Sequence, residues 1–207
     1  FYALKDVLIA TGYDTDTGDE GGYAPDVHAT VEAIRMIMLA VKKAGYVAGK
    51  DVALAFDVGA NTMYDEKAKK YRFKLDANFL SASQLIALYE VWDEQFPIMS
   101  IEDGLHEDDW ENWATMTQRI GKDVMVVGDD LFTSNAKMLE RGIKEKSANA
   151  ILIKPNQIGT LTETMETVHL AQDNDIRVII SHRSGETNDD FIADLAIAVG
   201  ADFTKFG

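Results

Sequence analysis

The chain has no cysteine among its 207 residues. Disulfides and thiolate metal sites are therefore excluded, and the four histidines lack the close spacing of a zinc site. That fits a reducing compartment, and a cytoplasmic location is the expectation. Basic charge is scarce as well: 20 lysines and arginines stand against 35 acids, a net charge of -15 with a pI near 4.5. Such a surface repels phosphate backbones and anionic lipid, so neither nucleic acid nor membrane is an expected partner. No apolar run approaches the roughly 20 residues of a membrane span. The opening "FYALKDVLIA" carries Lys5 and Asp6 where a signal peptide would be apolar. Low-complexity linkers are missing too.

What the chain has is a 46% hydrophobic composition, sufficient for a sizeable core, and one pattern used repeatedly. Short, mostly β-branched runs end in an ionisable residue: "VALAFDV" carries Asp57, "IMSIEDG" Glu102, "VMVVGDD" Asp129, "AILIKP" Lys154, "VIISHRS" His182 and "ADFTKFG" Lys205. Helical segments are predicted between them at 81–96, 107–120, 135–146, 160–173 and 187–199. After a longer first interval, the runs recur at roughly 25 residues, near the roughly 31 that each unit of an eight-unit barrel of about 250 residues occupies. Residues 61–76 fill the long interval as an insertion, expected to be a hairpin. Continuous apolar strands alternating with helices predict an α/β fold with a parallel sheet. The expected class is a (β/α)8 TIM-type barrel, incomplete in this chain because six strands are evident.

Active sites of such folds gather at the C-terminal ends of the strands, where these charges fall. Asp57, Glu102 and Asp129 would offer three hard oxygen donors, a set suited to Mg2+. Lys154, His182, Arg183 and Lys205 would form a basic wall opposite, holding an anion between wall and metal. "SHRSGET" adds Ser184, Thr187 and the Gly185 backbone, a cluster suited to phosphate. The plainer reading is a ring of salt bridges at the barrel mouth. "HEDDW" at 106–110, Asp189 and Asp190 read as acids in the first turns of helices, favoured by the helix dipole. His28 and His169 are expected on helix surfaces, and Met36 and Met38 in packing.

The residues resemble the enolase family. The likeness runs through "GDEGGYAP", "FDVGA", "SIEDG", "VGDDLFTSN", "LIKPNQIGTLTET", "SHRSGET" and "KFG", in the family's order and over essentially the whole chain. It implies a Mg2+-dependent lyase using two ions, with Asp57, Glu102 and Asp129 as metal ligands. Lys154 would be the base that takes the C2 proton of 2-phosphoglycerate, and Glu20 the acid that assists loss of the C3 hydroxyl. His182, Arg183, Ser184 and Lys205 would bind the substrate and the second metal. The resemblance also implies the glycolytic reaction yielding phosphoenolpyruvate, and a homodimer. Residues 1–207 would be part of the C-terminal catalytic barrel, without the N-terminal lid domain and the first barrel strands; alone they are expected to be inactive. Gly104 replaces the usual proline, "GANTM" and "TND" are variant stretches, and Phe206 replaces a threonine. Two alternatives stand beside this reading: another metal-dependent proton-abstracting enzyme of the superfamily, and a non-catalytic enolase-like fragment that acts as a binding module.

Overall fold

A computed structural model describes residues 1–73 and 78–206. Two helices come first, α1 (Tyr2–Thr11) and α2 (Thr30–Lys43), and pack together through Val7, Leu8, Met36 and Ala40. The βα alternation then begins with β1 (Leu54–Asp57). A 3-10 turn (Ala60–Met63) leads into a hairpin of β2 (Tyr64–Asp65) and β3 (Lys70–Tyr71). The hairpin expected within 61–76 is thus present, although its last three residues lie outside the described residues. The remaining elements are α3 (Ala82–Gln95), β4 (Ile98–Glu102), α4 (Trp110–Ile120), β5 (Met125–Gly128), α5 (Ala136–Glu145), β6 (Ala150–Ile153), the single turn α6 (Pro155–Ile158), α7 (Leu161–Gln172), β7 (Arg177–Ser181), α8 (Phe191–Ala198) and β8 (Phe203–Lys205).

Six strands form one parallel sheet in the order β1-β4-β5-β6-β7-β8, curled into an incomplete barrel. Strand side chains alternate between its two faces. Val126, Ile151, Ile153, Val178 and Ile180 point outward and join the main core beneath the helices, with Trp113, Met116, Leu139 and Val168. Met125, Val127, Ala150, Leu152 and Ile179 point inward and line the concave face with Phe203. Burial on both faces explains why these strands read as unbroken apolar runs.

Local chemistry fixes the helix starts. Ser81 and Gln84 form a capping box on α3, and Asn135 and Thr160 cap α5 and α7 by accepting backbone N–H groups. Two sequence expectations need correction. α4 begins at Trp110 and α8 at Phe191, so residues 106–109, Asp189 and Asp190 precede the helices rather than occupy their first turns. Asp109 instead accepts hydrogen bonds from the Asn112 amide, and Asp189 accepts one from the Phe191 N–H. His28 likewise lies ahead of α2, exposed. His169 does lie exposed on α7, and Met36 is buried.

Candidate active site

The six strand ends present their ionisable residues at one mouth. Asp57 closes β1, Glu102 closes β4, Asp129 follows β5, Lys154 follows β6, His182 follows β7 and Lys205 closes β8. At Lys154 the local cause is plain. Pro155 bars the helical region to the residue before it, and Lys154 is extended at φ -121° and ψ 100°. Pro155 also opens the short turn α6, and Gly159 ends it at φ +105°, where a side chain would be strained.

Acids and bases interlock at the mouth. The Lys154 ammonium donates to Asp129 Oδ2 at 2.5 Å, with both side chains largely buried. Lys205, expected to face the acids from a separate wall, donates to Asp57 Oδ2 at 2.8 Å and to both oxygens of Glu102 at 2.8 and 3.0 Å. β1 and β8 are the two edges of the described sheet, and Lys205 on one edge reaches Asp57 on the other. Burial, reinforced by the Asp57 charge, raises the Glu102 carboxyl to about 7 against the pull of Lys205. It also raises Asp129, against Lys154. On Lys205, burial opposes the charge, but the hydrogen bonds it donates to Asp57 and Glu102 outweigh it and hold the ammonium above its usual range.

The second part of the site is a cleft of about 350 Å3 lined by Asp19, Glu20, His182, Arg183, Ser184 and Phe206, among others. "GDEGG" forms a tight turn, with the Gly18 N–H bonded to the Gly22 carbonyl and Gly21 at φ +78°. That turn carries Glu20 to the loop after β7. Ser184 Oγ donates to Glu20 Oε1 at 2.5 Å, and His182 Nε2 lies 3.8 Å from the same oxygen. Glu20, distant in sequence, thus joins the "SHRSGET" cluster.

Three residues that the sequence reading overlooked hold this mouth together. Asp103 is 5% exposed and accepts the N–H groups of Asp129 and Asp130, each at 2.9 Å. Burial raises its carboxyl to about 8, opposed by those two N–H donors. Ser134, fully buried, accepts the Lys154 N–H at 2.8 Å and donates to Gln157 Oε1. Asn61 donates to Glu107 and Asp130 and accepts the Glu107 N–H at 3.0 Å. No direct signal in the sequence marks Asp103, which lies just past the end of β4 with its backbone at φ +43°.

Among the described residues, the one group of three carboxylates with ligand atoms within 4.8 Å of one another is Asp103, Asp129 and Asp130. Asp129 Oδ1 is buried and has no hydrogen-bond partner. The three-aspartate group shares only Asp129 with the expected set of Asp57, Glu102 and Asp129, and the orphaned, desolvated oxygen of Asp129 fits a divalent cation such as Mg2+. No described helix is long and apolar enough to cross a membrane.

A curled parallel α/β half-barrel with acids and lysines at its strand ends has the architecture of a TIM-type barrel, a fold whose active sites lie at that face. The family model for the enolase C-terminal TIM barrel domain matches residues 1–207, and the chain belongs to that family. An enolase from Natranaerobius thermophilus is 50% identical over all 207 residues. The match covers 48% of that protein, so the chain spans about half the length of this curated relative.

Proposed function

We propose that this chain forms the catalytic barrel of a Mg2+-dependent enolase that interconverts 2-phosphoglycerate and phosphoenolpyruvate in glycolysis, acting in the cytoplasm as part of a longer, homodimeric protein. The observation that carries the reading is the Lys154–Asp129 contact at the mouth, a candidate base in direct contact with a candidate metal ligand. Asp57, Glu102 and Asp129 would hold Mg2+. Bound there, the cation would stabilise the negative charge that gathers on the substrate carboxylate as its neighbouring proton leaves.

The chain's own residues supply the proton chemistry. Lys154, once an ammonium proton has passed to solvent, takes the proton from C2, leaving the electron pair to form the carbon–carbon double bond. Glu20, when protonated, delivers its proton to the C3 hydroxyl, which departs as water. His182, Arg183 and Ser184 line the cleft beside Glu20 and would bind the phosphate. Lys205 keeps Asp57 and Glu102 in place and would meet the substrate carboxylate and the second metal.

Separating the two half-reactions tests the assignment in the whole protein. With Mg2+ saturating, Lys154→Ala should abolish both solvent exchange of the C2 hydrogen, followed by NMR in heavy water, and product formation. Glu20→Gln should retain exchange while losing product, because it can no longer supply the proton. Equal loss of exchange in both variants would refute the division of roles. Turnover of 2-hydroxy acids without turnover of 2-phosphoglycerate would favour another proton-abstracting enzyme.

A further inference from the structure

We propose that Asp103 is the positioning residue for Asp129: its carboxylate grips the two backbone N–H groups at the end of β5 and so fixes the direction in which Asp129 offers its side chain to a cation. The inference rests on the reading of Asp129 as a Mg2+ ligand.

The geometry isolates this role. Glu102 ends β4 facing the mouth, and the extended strand stops there. Asp103 instead adopts a left-handed backbone at φ +43°, a conformation aspartate and asparagine tolerate better than most residues. Its N–H donates to the Val127 carbonyl at 3.0 Å, while its own carbonyl accepts the Ala60 N–H at 2.9 Å. The turn after β1 and the ends of β4 and β5 are thereby joined at one residue. The carboxylate turns sideways across the end of β5, where Oδ1 accepts the Asp129 N–H and Oδ2 the Asp130 N–H.

Asp103 belongs to the carboxylate group whose ligand atoms lie within 4.8 Å, which raises the alternative that it is itself a ligand. Its hydrogen bonds argue otherwise. Both Asp103 oxygens have amide partners at normal distance, whereas on Asp129 it is Oδ1 that is buried without a donor. The proximity follows from a carboxylate bound to the backbone of the other two residues. Asn61 restrains the same loop from the other side through Asp130 Oδ2 at 3.0 Å.

Outer residues that orient a ligand typically contribute 10- to 100-fold to metal affinity. Asp103→Asn is the informative variant, since it tolerates the left-handed backbone and retains one acceptor but turns an NH2 group toward an N–H donor. In the whole protein, calorimetry with Mg2+ alone should give a dissociation constant about 10- to 100-fold weaker than the parent. NMR hydrogen exchange at the Asp129 and Asp130 amides should quicken at least about tenfold, since each loses part of its acceptor. Raising Mg2+ should restore turnover, dividing the effect between metal requirement and kcat. Asp129→Ala is the control for the underlying reading: unchanged Mg2+ affinity there would remove Asp129 from the ligand set. Weak binding by Asp129→Ala with unchanged affinity in Asp103→Asn would overturn positioning alone. Weak binding by Asp103→Asn with the two amides still protected would make Asp103 a ligand and overturn it equally. If Asp103→Asn does not fold, Asp103→Ser takes its place with the same outcomes.

Discussion

Asp129 and Lys154 meet at 2.5 Å because each is held from behind by a side chain one strand earlier: Asp103 holds the first and Ser134 the second. The ionisable residues themselves were legible, since a charge at the end of an apolar strand stands out. Their holders were not. Ser134 is one of seven serines in the chain, and its importance comes from full burial at φ +56°, which the sequence does not disclose. Close packing at this scale leaves little room for change. A Cβ on Gly128 would lie 2.6 Å from the Phe132 ring, and Gly142 on α5 presses on another edge of that ring. Gly128→Ala should therefore cost about 1–3 kcal/mol by overpacking. Urea unfolding would show a lower midpoint with the slope preserved, and adding Phe132→Leu should recover part of the loss. An unshifted midpoint would mean the ring moves aside freely.

Elements were read best where a period spanned several turns. The helices α3, α5 and α7 fall within one residue of their expected bounds, because apolar spacing and capping agree there. α4 and α8 start three or four residues late, since acids ahead of a helix attract the same expectation as acids inside its first turn. The hairpin's purpose was invisible, and it depends on a phenol. Tyr71 on β3 accepts the His106 N–H at 2.9 Å, tying the hairpin to the loop after β4. Tyr89 on α3 donates to the Gly104 carbonyl in that same loop at 2.9 Å. Burial pushes both phenols above their usual range. An acid raised in the folded state is stable below the unfolded pKa, near 10 for tyrosine, and loses that stability as pH climbs beyond it. Stability should fall by about 1.4 kcal/mol per pH unit for each such phenol above pH 10. Tyrosinate absorbance should show two of the seven tyrosines ionising only as the chain unfolds; reversible titration of all seven near pH 10 in the folded chain would contradict it.

At the scale of the molecule, the repeat of apolar run and charge fixed the class, and the sheet carries the six strands that repeat contains. The curl was not readable, because it depends on small twists between strands and on which side chains fill the concave face. Nor was the partnership of the charges. The expectation set a basic wall opposite the acids, whereas Lys205 binds Asp57 and Glu102 directly and Lys154 binds Asp129. Three acids stand on successive strand ends and three bases on the next three, and the lysines reach over to the acids because buried carboxylates are costly to leave unpaired. A salt-bridged mouth and a binding site are therefore compatible: the lysines neutralise carboxylates that would otherwise repel one another.

The sequential order of the strands has a consequence for how the chain acquires this shape. Every main-sheet pairing joins strands that are neighbours along the βα repeat, so the sheet can grow one unit at a time from contacts of modest loop length. The Lys205 ties to Asp57 and Glu102 span 148 and 103 positions and can form only once the intervening strands have curled. They belong on the native side of the folding barrier. Lys205→Met should leave the refolding rate nearly unchanged and speed unfolding by about tenfold for each 1.4 kcal/mol it costs. Stopped-flow fluorescence of the whole protein measures both rates, and slowed refolding would place the tie in the nucleus instead. The Lys205 ties then act on unfolding alone, setting how long the assembled strand ends stay together.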